Sequence, residues 1–293
     1  MFRQKLERAM SRNDSLLCVG LDPFVPDVVA DISQVLPLNT LIIEATCDLA
    51  CAYKPNMAIY EAMGEPGRDI LRRTLQAIPE WIPKIGDAKR CDIDNCGKAY
   101  AKTLFEEWDF DAATLYPYMG LDAVDMFRAN KEKAVLVICR TSNPSARDLQ
   151  DLLVVRGPGQ AQRPLYLEVA ALARGWNEQN RNVGLVVGAT YPDEIGQVRQ
   201  LCPDMLFLIP GVGAQGGDLK AAVQAARDDQ GAGFIINVSR QIMRCALSPE
   251  GDLLPEREAL KAVRREAEQL RAAINLYRRQ HRAATAAQPA VSA

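Results

Sequence analysis

The feature that most limits the fold of this 293-residue chain is a repeated alternation. Short runs rich in Val, Ile, Leu and Ala, each closed by polar, Gly or Pro residues, are followed by longer stretches with apolar residues at i, i+3 and i+4. Eight runs read as strands, at 16–20, 49–54, 82–87, 111–115, 134–139, 183–187, 205–209 and 233–238. Between them "NTLIIEATCDLA", "PGRDILRRTLQAIPEW", "NCGKAYAKTLFEEW", "RPLYLEVAALARGWNEQN", "YPDEIGQVRQLC" and "DLKAAVQAARDDQ" read as helices. Parallel strands covered on both faces are apolar throughout, and eight β/α units in this length are the pattern of an α/β chain closing into a (β/α)8 TIM barrel. A doubly wound open sheet is the alternative, but no GxGxxG follows the first run.

The expected organisation is a single domain over 1–283 with an N-terminal helix in "MFRQKLERAMSRND" and a long C-terminal helix over 256–283. That last helix carries Leu260, Val263, Ala267, Leu270 and Ile274 along one face, which predicts packing on the outside of the barrel. The end, 284–293, is of low complexity and is expected to be a disordered tail.

Several classes of chemistry are excluded early. A formal net charge of −2 provides no global basic field, so no nucleic-acid or membrane partner is expected, and any anionic ligand has to be met by local cations. The N-terminus is charged and no apolar run reaches the roughly 18 to 20 residues of a membrane span, so a soluble, cytoplasmic protein is expected. The eight cysteines (18, 47, 51, 91, 96, 139, 202 and 245) contain no CxxC pair and read as reduced thiols. The single histidine, His281, lies in a basic stretch, which leaves a Ser-His-Asp or Cys-His device, or a His-based metal site, without its imidazoles.

Active sites of such barrels gather where the strands end, and here those ends are polar. Asp22 follows the first run, Lys54 ends the second, and Asp87 and Lys89 follow the third. Ser142 in "CRTSNPS" follows the fifth, "PGVGAQGGD" (210–218) the seventh, and Ser239 and Arg240 the eighth. Gly211, Gly213, Gly216 and Gly217 precede a helix expected to start near Asp218, and Arg240 is close by. Loops after the last two strands are where barrels commonly hold phosphate.

The stretch "GDAKRCDIDNC" (86–96) is denser still: Asp87 and Lys89 stand two apart, Asp92 lies just beyond, and Lys54 ends the neighbouring strand. Alternating cations and anions hold one another charged, and such an array keeps a charged acid near a substrate without a metal. An exposed ion-pair network at a loop is the structural alternative for DxKxxD alone.

Taken together, "VGLDP" (19–23), "YKPNMAIYEA" (53–62), "DAKRCDI" (87–93), "TSNPSARDLQDL" (141–152), "VGLVVGATYPDEI" (183–195), "LIPGVGAQGGD" (208–218) and "NVSR" (237–240) resemble, in order and spacing, the orotidine 5′-phosphate decarboxylase family, in its longer bacterial (type 2) subfamily. The resemblance implies decarboxylation of orotidine 5′-monophosphate to uridine 5′-monophosphate and CO2, closing pyrimidine synthesis, with no cofactor or metal. It implies that Lys89 is the proton donor, in an array with Lys54, Asp87 and an Asp92 supplied by the partner of a homodimer. It further implies that Asp22 and Lys54 bind ribose, that Ile93 and Cys96 contribute to substrate binding, and that Ser142 meets the pyrimidine edge. Arg240, with Gln215 and the Gly211 to Gly213 backbone, holds phosphate in that reading.

Two residues depart from the family pattern. Cys96 stands where a threonine is usual, and a thiol is the weaker donor; Tyr116 stands where the subfamily usually has asparagine. Two rival functions remain open to the sequence. Metal-dependent sugar-phosphate decarboxylases and synthases of the same superfamily share DxKxxD, but have an acidic ligand where this chain has Lys54, and a lysine repels Mg2+. The other rival is a nucleotide-binding protein without turnover.

Overall fold

A computed structural model describes residues 1–24, 28–159, 161–213 and 216–280. Eight parallel strands carry the architecture: β1 (Leu17–Leu21), β2 (Ala52–Pro55), β3 (Ile85–Arg90), β4 (Ala112–Leu115), β5 (Ala134–Arg140), β6 (Val183–Val187), β7 (Phe207–Ile209) and β8 (Phe234–Val238). They run in the order β2-β1-β8-β7-β6-β5-β4-β3. Isolated bridges Tyr53↔Lys84 and Asn56↔Asp87, with the Tyr53 amide donating to the Pro83 carbonyl at 3.0 Å, bring β2 to β3 and close the (β/α)8 barrel.

All eight expected strands are present, with their ends moved by a few residues. The largest shift is at β3, which starts after Pro83, a residue without an amide to give to a ladder, and continues to Arg90. It does so irregularly: Gly86 pairs with Ala113 and Arg90 with Leu115, so β3 spends four residues where β4 spends two. Within this bulge Lys89 has a left-handed backbone, φ +49°.

Strand residues alternate between two buried clusters. Leu17, Val19, Tyr53, Val135, Val137, Phe207 and Ile236 face the helices, whereas Cys18, Ala52, Ile85, Ala112, Leu136, Ile138, Val186, Leu208 and Ile235 fill the barrel. Phe2 and Leu6, from the N-terminal helix Phe2–Asn13, belong to the inner cluster and are 5% and 2% exposed. This helix therefore stoppers the end of the barrel where the strands begin. The Phe2 amide on the Glu132 carbonyl (2.8 Å) and Lys5 on Asp111 (2.8 Å) hold it there.

The C-terminal helix is Glu256–Arg279, packed outside the barrel against the helix Val35–Thr46. Val263, Ala267, Leu270 and Ile274 are buried as expected, but Ala259 rather than Leu260 completes the stripe. Residues 284–293, expected to be a tail, lie outside the described residues. The helix Leu121–Arg128 and a short ribbon pairing Leu153–Val154 with Arg163–Pro164 have no counterpart in the sequence reading. Among the described residues no helix is long and apolar enough to cross a membrane.

Candidate active site

Because inward and outward side chains alternate, the inner row of each strand can be followed to the barrel's mouth. It turns from apolar to polar near the strand ends: Lys54 follows Ala52, Asp87 follows Ile85, Thr114 follows Ala112, Arg140 follows Ile138, and Ser239 comes after Ile235 and the already polar Asn237. These five side chains, with Asp22, Lys89, Ser142, Gly211 and Arg240, line a cavity of about 580 Å³. A larger cavity of about 880 Å³ lies at the other end, around the N-terminal helix, and none of the strand-closing residues reaches it.

The array is continuous across neighbouring strands. Lys54 Nζ is 3.0 Å from Asp87 Oδ2 and 3.8 Å from Asp22 Oδ1, with only 4% of the lysine side chain exposed. Lys89 Nζ donates to Asp87 Oδ1 at 2.5 Å. Ser239 Oγ donates to Asp22 Oδ2 at 2.5 Å, and Asn237 Nδ2 donates to Ser239 Oγ at 3.4 Å. Asp22 lines the cavity, and its buried Oδ1 accepts no hydrogen bond among the described residues, leaving Lys54 at 3.8 Å as its charged neighbour.

These contacts fix the charge states. Burial pulls the Lys54 ammonium down, but Asp22 and Asp87 outweigh it and leave the group well above the ordinary lysine value. Burial would likewise raise Asp87, yet Lys54 and Lys89 hold its carboxyl well below the usual carboxylate range. At neutral pH both partners are ionised.

Thr114 was not picked out from the sequence. Its hydroxyl accepts from the Lys89 amide (3.0 Å) and donates to Asp87 Oδ1 (2.9 Å). A left-handed backbone at a lysine costs on the order of 1 to 3 kcal/mol and has to be held by its surroundings. Arg140 was missed as well. Its side chain is fully buried, pairs with Glu194 and with Asp151 (2.8 Å), and lies beside the rings of Tyr166 and Tyr191. Gln150, within 3.4 Å of the guanidinium, accepts from the Thr141 amide at 2.9 Å, so Arg140 braces the loop that carries Ser142. A period of two applied to 112–114 and 138–140 marks both residues as polar groups in an inner row.

The glycine loop after β7 is left-handed at Gly211 (φ +95°) and Gly213 (φ +71°). The Gly213, Gly216 and Gly217 amides donate to carbonyls of the same loop, which fixes its shape. Asp218 caps the next helix, Leu219–Ala226, by accepting from the Ala221 amide at 3.1 Å. Arg240, half-buried at the mouth, has no ion pair among the described residues. Gln215 lies outside the described residues.

Four of the expected site residues that are described, Gly213, Asp92, Ile93 and Cys96, do not line the cavity of their own chain. Asp92 accepts only from the neighbouring Ile93 amide (2.9 Å) among the described residues, and Ile93 and Cys96 are exposed at the start of the helix Asp94–Lys102. Tyr116, by contrast, lines the mouth, 43% exposed, with its amide on the Arg90 carbonyl at 3.1 Å.

A family model described as "Orotidine 5′-phosphate decarboxylase / HUMPS family" matches residues 15–252. The chain is 45% identical over 275 residues to an orotidine 5′-phosphate decarboxylase of Thermomicrobium roseum, covering 90% of this chain and 96% of that one. It is similar to the solved Leishmania donovani OMP decarboxylase (38% identity, TM-score 0.80), covering 94% of this chain and 98% of that one. It spans 94% of its own length but 56% of the Leishmania donovani UMP synthase (40% identity, TM-score 0.82).

Proposed function

The chain belongs to the orotidine 5′-phosphate decarboxylase family, and from that premise we propose how its own residues carry the reaction. It is a carbon-carbon lyase that converts orotidine 5′-monophosphate to uridine 5′-monophosphate and CO2 in pyrimidine biosynthesis. The observation that carries the assignment of roles is the Asp87 carboxylate held between two ammonium groups, Lys54 at 3.0 Å and Lys89 at 2.5 Å.

The nucleotide enters with its phosphate toward Arg240 and the Gly211 to Gly213 turn, and Gln215 is proposed as a further phosphate contact. Its ribose hydroxyls meet Asp22, whose Oδ1 accepts no hydrogen bond among the described residues, and Lys54, which pairs with that oxygen at 3.8 Å. Ser142 meets the pyrimidine edge, and C6 faces Lys89. The C6–carboxylate bond breaks, CO2 departs, and the electron pair stays on C6 without an imine or thiazolium to receive it. The Lys89 ammonium stabilises that charge as it grows and then transfers a proton to it, forming the C6–H bond. Solvent returns the proton to the amine. Asp87, fixed by Lys54, keeps Lys89 oriented.

We further propose a homodimer in which Asp92, with Ile93 and Cys96, serves the partner's site. Two observations support this: these residues do not line their own cavity, and apolar side chains nearby in the sequence are exposed. Tyr100 (39%), Tyr116 (43%), Tyr118 (89%), Met119 (43%) and Leu121 (39%) make a larger apolar rim than single surface residues do. Arg90 connects them, with its guanidinium over the Tyr100 ring and its carbonyl on the Tyr116 amide. A cytoplasmic location is proposed on the eight free thiols and the biosynthetic role.

Following the pyrimidine absorbance of orotidine 5′-monophosphate with pure protein tests the reading. Turnover is expected, undiminished by EDTA. Loss of activity in EDTA would favour a metal-dependent relative, and binding without spectral change a nucleotide binder.

A further inference from the structure

We infer that Thr114 is a positioning residue for decarboxylation, acting through Lys89 and Asp87. The inference rests on the proposed role of Lys89 as proton donor.

Three contacts close a small ring, and a fourth holds it from outside. The Lys89 amide donates to Thr114 Oγ1, the same hydroxyl donates to Asp87 Oδ1, and that same carboxylate oxygen receives the Lys89 ammonium. Asp87 Oδ2 receives Lys54 from the other side. The lysine is thereby held at both ends, its backbone by the hydroxyl oxygen and its ammonium by the carboxylate that the hydroxyl orients.

The position accepts few residue types. The atom there has to accept from an amide and donate to a carboxylate at once, which a hydroxyl does and a methyl or a carboxylate does not. Thr114 is 1% exposed and sits on regular β4, paired with Leu136 of β5, so a stiff χ1 aims the hydroxyl from an unstrained strand onto a strained one. The strained one is the bulge of β3, where Lys89 has φ +49° and the β3–β4 ladder skips from Gly86 to Arg90. In that gap the Thr114 side chain stands in for the missing ladder contact. Without it the Lys89 backbone loses its partner in the left-handed conformation, and the ammonium is free to shift relative to C6. Proton donation in the transition state is sensitive to such shifts, whereas nucleotide binding draws on groups elsewhere in the mouth.

The test compares Thr114→Val, Thr114→Ser and Lys89→Ala for kcat, KM and the fraction of sites that bind uridine 5′-monophosphate. Thr114→Val is expected to lower kcat per binding site roughly 10- to 100-fold with KM within about threefold, the size expected of a misplaced reacting group. Thr114→Ser is expected to recover most of that loss. If Thr114→Val does not fold, Thr114→Ala removes the hydroxyl without adding bulk, and the same split between kcat and KM is required of it. Should the variants without the hydroxyl keep a wild-type kcat per binding site while Lys89→Ala is dead, the inference is overturned. It is also overturned if serine restores nothing. Substantial turnover by Lys89→Ala would instead overturn the proton-donor reading beneath it.

Discussion

Lys54 and Asp87 meet at 3.0 Å with 4% and 12% of their side chains exposed, so two opposite charges are held almost out of water. Their displaced pKa values give the pair a defined pH window. Asp87 is depressed in the fold, so its contribution is complete above the unfolded carboxylate value of about 4 and is lost as pH falls toward the native value. Lys54 is raised, so its contribution is complete below about 10.5 and is lost as pH rises beyond that. Asp87→Asn, which leaves the buried ammonium with Asp22 alone, is expected to cost about 3 to 5 kcal/mol. In urea titrations that deficit should stay constant from pH 6 to 9 and narrow below about pH 4; a deficit independent of pH throughout would mean that the charge is not its source.

Lys89→Ala should lose nearly all turnover while binding uridine 5′-monophosphate and melting within a few degrees of the wild type. The side chain is 38% exposed at the mouth, so its removal opens no core cavity. A residual rate above a few per cent would remove Lys89 from the proton-donor role.

Arg240→Ala removes a charged contact worth roughly 1.5 to 3 kcal/mol and leaves the reacting groups in place. The kcat/KM for the nucleotide should fall about 10- to 150-fold, and that for orotidine without its phosphate should barely move. Equal losses for the two substrates would show that Arg240 does not touch phosphate.

Lys89→Ala and Asp92→Ala should each be nearly inactive alone and should complement each other when their subunits exchange. Random pairing makes about half the dimers mixed, and one of the two sites in each mixed dimer carries both wild-type residues, so about a quarter of wild-type activity returns. If Asp92 serves its own chain, mixing restores nothing.

Gly20→Ala tests the close approach of Gly20 on β1 to Ser239 at the end of β8. A Cβ there would lie 1.8 Å from Ser239 Oγ and 2.8 Å from Ser239 Cβ, pushing the serine off Asp22. A destabilisation of about 1 to 3 kcal/mol is expected in thermal melts, relieved in good part by Ser239→Gly in the same chain. No relief would place the strain elsewhere.

What could be read from the sequence divides along the distance over which each interaction acts. Strands declared themselves because a strand buried on both faces is an apolar run, and Val183–Val187 was located to the residue. Asp22, Lys54, Asp87, Lys89 and Arg240 were legible because charges interrupt such runs where the strands end. Thr114 was not, since one hydroxyl in "AATL" reads as an ordinary β-branched strand residue. The Ser239–Asp22 bond joins residues 217 positions apart, and the Arg140–Glu194 pair spans 54, separations that no local pattern encodes. The helix Leu121–Arg128 escaped because it is only eight residues long and its buried apolar residues, Ala123, Val124 and Phe127, span little more than one turn, too short a stretch to show a period.

Phe2 and Leu6 stopper the barrel at the strand starts, and above them Ile138, Val186, Leu208 and Ile235 form a close-packed floor under the charged residues. The consequence is one of traffic. CO2 released above that floor meets packed side chains below and solvent above, so the gas and the nucleotide share one doorway. Both products therefore leave by the side on which the substrate arrived.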